Sequence, residues 1–362
     1  EGLIFIVLSL TNVREAIFNC IPFTLKKAVA AGIGLFICFI ALQTAKIIVN
    51  NDAVLVGLVS FKNAPFHTQG ICALLAIVGT VFTGVMMAHR VKGAILFGIF
   101  LTWGLGMFCQ ALGVYVPDAE KGYFSLYPVL TFAGIADSFA QFKQTFCAVF
   151  DPAGWTHKGD PNTGWALVKG LDFFVVMFAF FFVDLFDTLG TLIGVSMKGG
   201  FLTKEGKLPR ISGALCADAI ATSVGAVFGT STTTTYVESA SGVMVGGRTG
   251  LTGVTTAVLF LAAIVFAPIF LAVPAFATAP ALIIVGYLML SSVVEIDFND
   301  AGEAIPAFLT VAVMPFSYSI SDGIMAGGIS YPLINLIAGK TKKIHWIMYV
   351  LTVVFIAKYA LM

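Results

Sequence analysis

The sequence predicts an all-α polytopic membrane protein, and three observations carry that expectation. Apolar residues make up 59% of the chain against 11% charged, with mean hydropathy +0.98, whereas soluble domains carry roughly 25% charge. Apolar runs long enough to cross a bilayer recur along the chain, and the few Lys and Arg sit between them. One of those runs, Leu171 to Met197, holds Asp184 and Asp187 near its middle as its only ionisable side chains past Asp172. A soluble amphipathic helix would surround two acids with polar residues, and Phe182, Leu185, Phe186 and Leu189 surround these.

Taken in order, Gly2 to Leu10 is an apolar run cut short at its start. The chain opens at Glu1 with no basic segment or small-residue cleavage site, so no signal peptide is read, and a fragment beginning inside a transmembrane helix is expected. Thr11 to Lys27, with Arg14, Lys26 and Lys27, reads as a polar, partly helical connector. Ala28 to Ala45 is the next span, and a loop with Lys46, Asn50, Asn51, Asp52 and Lys62 leads to Thr68 to Ala88. The turn His89-Arg90-Val91-Lys92 returns the chain as Gly93 to Gly113. Val114 to Lys169 is the longest polar segment, within which Tyr127 to Ala140 reads as an interfacial helix. After the Asp184/Asp187 helix come a basic loop, Lys198 to Arg210, and a span, Ile211 to Phe228. Further spans are Leu251 to Phe270, Pro280 to Val294, Ile305 to Ser319 and Gly323 to Ala338, with an acidic turn at Glu295, Asp297, Asp300 and Glu303. His345 to Met362 is apolar, either a short extra span or a helix in the interface.

Charge supports this map. With Thr11 to Lys27 on the cytoplasmic side, that side receives Arg14, Lys26, Lys27, Arg90, Lys92, Lys198, Lys204, Lys207, Arg210, Arg248, Lys340, Lys342 and Lys343, thirteen against six on the other, as the positive-inside rule requires. Lys358 stays unassigned. A net charge of +1 with no basic patch excludes nucleic acid as a partner. The six cysteines stand singly among apolar residues, so no metal site and no cofactor is expected.

A charge at mid-membrane costs about 3 kcal/mol per residue on insertion scales and is functional by default. Asp184 and Asp187, spaced i, i+3, share a helix face that Thr188 and Thr191 extend as a polar stripe. Gly190 and Gly194 are read as letting one neighbouring helix approach closely. The run Gly229-Thr230-Ser231-Thr232-Thr233-Thr234-Thr235 is a poor helix and a good short strand, yet it lies between segments at membrane depth, where irregular backbone is tolerated only inside protein or along a cavity. An extended segment followed by a half-helix from about Tyr236 is expected, with Ser231 to Thr235 supplying hydroxyl caps and Glu238 in the first turn. Asp218 reads equally as a proton relay or as a structural partner of Thr222 and Ser223. Gly246, Gly247, Arg248 and Gly250 read as a tight cytoplasmic turn.

The runs Asp184-Leu185-Phe186-Asp187-Thr188-Leu189-Gly190-Thr191-Leu192-Ile193-Gly194, Thr234-Thr235-Tyr236-Val237-Glu238-Ser239-Ala240-Ser241-Gly242 and Gly246-Gly247-Arg248-Thr249-Gly250-Leu251-Thr252 resemble the adenine/guanine/hypoxanthine permeases, the purine branch of the nucleobase:cation symporter-2 superfamily. The resemblance covers essentially the whole chain. It implies fourteen transmembrane segments in two inverted seven-segment repeats, with discontinuous helices and core and gate domains, of which about eleven segments are present here. On that scheme 1–12 is the end of segment four in the core, 28–113 is segments five to seven in the gate, and 114–170 is an extracytoplasmic connector. Segments eight to eleven, 171–270, hold the substrate site in the core, 280–338 is segments twelve to fourteen in the gate, and 345–362 is an apolar tail beyond the count.

The resemblance further implies a secondary active transporter of the cell membrane that imports purine nucleobases by proton symport with alternating access, not an enzyme. In related uracil permeases an acid followed by Gly three residues on marks the substrate carboxylate; Asp187 with Gly190 fits that register, while Asp184 is particular to the purine branch. Substrate contacts are expected from Asp184, Asp187, Thr235, Val237 and Glu238, and proton coupling from Asp184, Asp187, Glu238 and Asp218. A carboxylate accepts from purine N–H groups and, protonated, donates to a ring nitrogen, and two acids a turn apart do not both stay ionised. The coupling ion is expected to be H⁺, with Na⁺ left open, and a homodimer is the assembly implied. An anion transporter or channel of the same architecture is the alternative, which three acids would oppose by repulsion. An intramembrane aspartyl protease would draw its acids from two helices and leave Glu238 unexplained.

Overall fold

The computed structural model describes residues 1–51, 53–62, 65–118, 120, 122–128, 140, 142–150, 171–341 and 344–361. The expected interfacial helix at Tyr127 to Ala140 lies almost wholly outside the described residues. The chain forms α1 (Gly2–Leu10), α2 (Val13–Cys20), α3 (Phe23–Thr44), a hairpin of β1 (Ile48–Asn51) and β2 (Leu55–Leu58), α4 (Ile71–Ala88) and α5 (Ala94–Ala111). After the described residues resume come α6 (Leu171–Gly199), α7 (Ile211–Phe228), α8 (Ser239–Val245), α9 (Gly250–Val265), α10 (Ala267–Phe270), α11 (Ala275–Leu290), α12 (Ala301–Ser317), α13 (Ile320–Ile337) and α14 (Trp346–Leu361). Among the described residues six helices are long and apolar enough to cross a membrane, seven if α1 and α2, bent by 76°, count as one.

Two compact units divide these elements, Glu1–Ile33, Phe139–Gly246 and Met289–Met362 in the first, Gly34–Ser138 and Gly247–Leu288 in the second. In the second unit α4 and α5 are joined by a reciprocal pattern. Thr83 Oγ donates to the Gly79 carbonyl and Thr102 Oγ to the Gly98 carbonyl, each at 2.7 Å. A Cβ placed on Gly79 would strike Thr102, and one on Gly98 would strike Thr83. Each helix therefore offers a glycine notch to the other's threonine, the small-residue packing that holds helices together in lipid. Around them Cys72, Leu75, Trp103, Leu126 and Phe276 form a buried core. Tyr115, beyond the end of α5, donates to the Phe124 carbonyl at 2.8 Å, and burial pushes its phenol up to about 12. The segment read as a plain loop from Lys46 to Lys62 contains the antiparallel hairpin, with Ile48 opposite Leu58 and Asn51 opposite Leu55. Its turn closes because Asn51 Oδ1 accepts from the amides of Ala53 and Val54.

The first unit is built around α6. Phe182 and Phe186 on α6, their ring centroids 4.8 Å apart, meet Phe355 of α14 edge to face at 5.8 and 5.0 Å. The apolar tail thus packs one face into this unit, with Met348, Leu351 and Phe355 buried. α12 and α13 form a tight hairpin, since a Cβ on Gly323 or Gly327 would run into Thr310 or Met314. Gly190 and Gly194 serve three neighbouring helices, α3, α11 and α13, where one was expected. A Cβ on Gly190 would meet Ile324 and Ile320 of α13, and one on Gly194 would meet Met289 and Ala30.

The polar connector expected from Thr11 to Lys27 is mostly helical and buries Arg14, Phe18, Cys20, Leu25 and Lys26, because Asn12 takes the left-handed conformation, φ 58°, and turns α2 back against the unit. Arg14 and Lys26 are buried, so they are not loop charges; without them the positive-inside count is eleven against six, with the same orientation. Lys26 Nζ donates to the Gly206 carbonyl at 2.7 Å and lies 4.4 Å from the Phe18 ring centroid.

Candidate functional site

α6 carries its two acids to different partners. Asp184 is buried, with Oδ2 unpartnered, and its charged neighbours in order of effect are Asp218, Glu1, Arg14 and Asp187. Asp187 is half-buried with Oδ1 unpartnered, accepts from the Ser321 amide, and faces Asp322 and Lys358. The spacing suggested one polar stripe with the two acids acting chiefly on each other. The stripe instead splits. Asp184, Thr188 and Thr191, at i, i+4 and i+7, stack on one line, and Asp187, offset around the helix, meets α13 and α14.

On the Asp184 side the centre is Asp218 of α7. Arg14 Nη2 donates to its Oδ2 at 2.7 Å, Thr188 Oγ1 donates to both its oxygens at 3.3 and 3.4 Å, and the Thr235 amide donates to it as well. The guanidinium is 0% exposed, donates also to the Leu215 carbonyl at 3.0 Å, and lies 4.4 Å from the Phe5 ring centroid. One of the two readings of Asp218 made it a structural partner of Thr222 and Ser223. Those hydroxyls are used elsewhere, Thr222 donating to the Thr233 carbonyl at 2.9 Å and Ser223 to the Ala219 carbonyl at 3.0 Å. An ionised aspartate in an apolar bundle requires charge-assisted donors, which Arg14 supplies better than a hydroxyl.

The threonine run behaves as expected in backbone and differently in its side chains. Residues 230–236 are neither helix nor strand, and no strand pairs with them among the described residues. Their hydroxyls do not cap α8, whose N-cap is Glu238 with no side-chain cap bond. The segment is tied to α7 by its backbone, the Thr233 carbonyl accepting from the Thr222 hydroxyl, and to α6 by a 2.6 Å contact between the Thr188 and Thr234 hydroxyls. α8 begins at Ser239, three residues later than expected, because turns at Val237 and Glu238 come first; Val237 and Glu238 carbonyls accept from the Ala240 and Ser241 amides. α8 packs on α6, but Glu238 is exposed and among the described residues makes no hydrogen bond to Asp184 or Asp187. Thr235 reaches the site through its backbone amide, at Asp218.

Arg14, Asp322 and Lys358 were not assigned to the site from sequence. Asp322 falls in the first turn of α13, whose N-cap Ser319 accepts the Asp322 amide at 3.1 Å, because that helix starts at Ile320, ahead of the expected Gly323. Ser319-x-x-Asp322 is a capping pattern that marks such a start. Lys358 Nζ stands 3.3 Å from Asp322 Oδ1 and 5.6 Å from the Phe182 ring centroid. A lone cation in an apolar tail was the signal available for it.

The whole arrangement is two groups on either side of one helix, Asp184 and Asp218, with Glu1 as a further charged neighbour, around the buried Arg14, and Asp187 and Asp322 around the buried Lys358. It is suited to holding and releasing a proton and to accepting hydrogen bonds from a neutral polar ligand. A cavity of about 540 Å³ in the second unit has Lys46, Cys72, Tyr115 and Tyr123 in its lining, and no carboxylate.

The chain matches the Permease family over residues 1–326. It is 44% identical to a putative permease of Methanocaldococcus jannaschii, over 99% of this chain and 74% of that protein. It is 42% identical to the guanine/hypoxanthine permease PbuG of Bacillus subtilis, over 98% and 72%, and 36% identical to the adenine permease AdeP of Escherichia coli, over 98% and 71%.

Proposed function

The chain belongs to the permease family, a multi-pass membrane transporter and not an enzyme, and from that premise we propose that it imports purine nucleobases across the cell membrane by proton symport with alternating access. The observation that carries the reading is the pair of unbalanced acid groups on α6. Asp184 and Asp187 each keep a buried carboxylate oxygen without a partner among the described residues, and each belongs to a group with more carboxylates than cations. An excess carboxylate in a medium of low dielectric is relieved by a proton, and an unpartnered oxygen is an acceptor for the N–H edge of a purine. Relatives named as guanine/hypoxanthine and adenine permeases support the substrate class.

On this reading Asp187 and Glu238 hold the base, Thr235 and the Val237 backbone add polar contacts, and Asp184 with Asp218 completes the charge balance. The coupling ion is H⁺. The surplus of carboxylates over cations argues against an anion as cargo, since it would repel one. The test is uptake of radiolabelled adenine, guanine and hypoxanthine by the intact protein in cells without their own purine transporters, with and without a protonophore. Protonophore-sensitive uptake, lost in Asp187→Asn and Glu238→Gln, supports the reading; no uptake of any purine despite membrane expression sinks it.

A further inference from the structure

Three charges from three helices meet beside the middle of α6. Asp187 on α6 accepts from the Ser321 amide in the first turn of α13 and has Asp322 and Lys358 as its charged neighbours. Asp322 of α13 pairs with Lys358 of α14 at 3.3 Å, and the Tyr359 hydroxyl donates to the Asp322 carbonyl at 3.5 Å. Lys358 is 8% exposed and Asp322 26%. Around the ammonium lie the rings of Phe182 and Tyr359, at 5.6 and 5.9 Å. Also on α6 are Asp184, a turn away with Asp218, Glu1 and Arg14 among its charged neighbours, and Lys198 in the last turn, bonded to Ser291.

A lysine this deep needs an acceptor to hold it; Lys26 has a carbonyl, and for Lys358 a single carboxylate would suffice. Here there are two, and the second, Asp187, has a buried oxygen with no donor among the described residues. Two carboxylates cannot both be neutralised by one ammonium, so the group carries one net negative charge until a proton joins it. How strongly it holds that proton depends on the count of fixed charges, which Lys358 and Asp322 set.

We propose that Lys358, paired with Asp322, is a positioning residue that sets the proton occupancy of Asp187, so that α14 takes part in the site from the side opposite Arg14. When a proton binds, an O–H bond forms on one Asp187 oxygen and the Lys358–Asp322 pair is left neutral; when it leaves, the proton goes to water and the group returns to one net negative charge. The proposal rests on the symport reading only in the use made of that proton.

Purified intact protein would be titrated with pH while the infrared C=O stretch of protonated carboxyls is followed, the Asp187 contribution being identified by its loss in Asp187→Asn. Lys358→Met raises the net negative charge of the group and Asp322→Asn removes it, so the two variants displace the midpoint in opposite senses, each by about one pH unit or more. The double variant, which restores one net negative charge, returns it to near the parent value, and Lys358→Arg leaves it there. A parent-like midpoint in Lys358→Met, or a double variant that stays as displaced as either single one, overturns the proposal. Should Lys358→Met fail to fold, Asp322→Asn and the double variant decide the matter by the same criterion. Purine uptake measured alongside separates the two readings. Displaced midpoints without purine uptake in the parent leave the charge group standing and remove the substrate; uptake in the parent with unmoved midpoints does the reverse.

Discussion

Asp184 and Asp187 stand one turn apart on α6 and are balanced in opposite manners. On the Asp184 side the cation is a guanidinium, 2.7 Å from Asp218, with the two side chains 0% and 4% exposed, and two further donors, the Thr188 hydroxyl and the Thr235 amide, converge on the same carboxylate. On the Asp187 side the cation is an ammonium, 3.3 Å from an aspartate that is 26% exposed, and the donor is one helix-terminal amide. Arginine presents a planar fork that several acceptors can share, whereas lysine is a point charge on a flexible stem. The first side is built to stay assembled; the second is built to change partners.

The consequences can be ranked. The largest is expected from Arg14→Met, which leaves Asp218 and Asp184 buried with no cation and should cost about 3–5 kcal/mol, read as loss of monodisperse protein in detergent. Adding Asp218→Asn should recover a good part of it. Lys358→Met should cost less, about 1–2 kcal/mol, because its pair is longer and partly hydrated; equal losses in the two variants would erase the distinction between the sides. Asp187→Asn should leave the thermal transition within about 1 kcal/mol of the parent while abolishing purine uptake, which a stability assay beside a transport assay would show. Smaller again is Thr188→Val, about 1 kcal/mol, since it unties Asp218 and Thr234 together. Smallest is Ser223→Ala, under about 0.5 kcal/mol, as its hydroxyl only returns to its own helix.

What was legible in the sequence followed the cost of burying charge. Asp184, Asp187 and Asp218 stand out because apolar residues and a few hydroxyls are all that surround them along the chain, and Ile211–Phe228 falls where its apolar run does. Arg14 was not legible. It sits among Thr11, Asn12 and Glu15, a setting that reads as solvated, and its burial depends on a 76° bend and on α7, which no local pattern announces. The glycines of α6 announced close approach but not how many helices approach. The threonine run announced an interrupted helix, while the partners of its hydroxyls depended on which acceptors the neighbouring helices left open. Lys358 was the reverse case, a plain anomaly in an apolar tail whose partner was hidden because the start of α13 was placed three residues late.

The ion pair between Arg14 and Asp218 also sets a timetable for biogenesis. Its members are separated by 204 residues, which a ribosome working at about 5–20 residues per second needs about 10–40 s to add. For that interval α1 and α2 carry an arginine whose release into lipid alone would cost about 3 kcal/mol. The bent pair is therefore held at the insertion machinery or in the interface until α7 emerges. Chains terminated before Asp218 should be extracted and degraded rather than accumulate as inserted fragments.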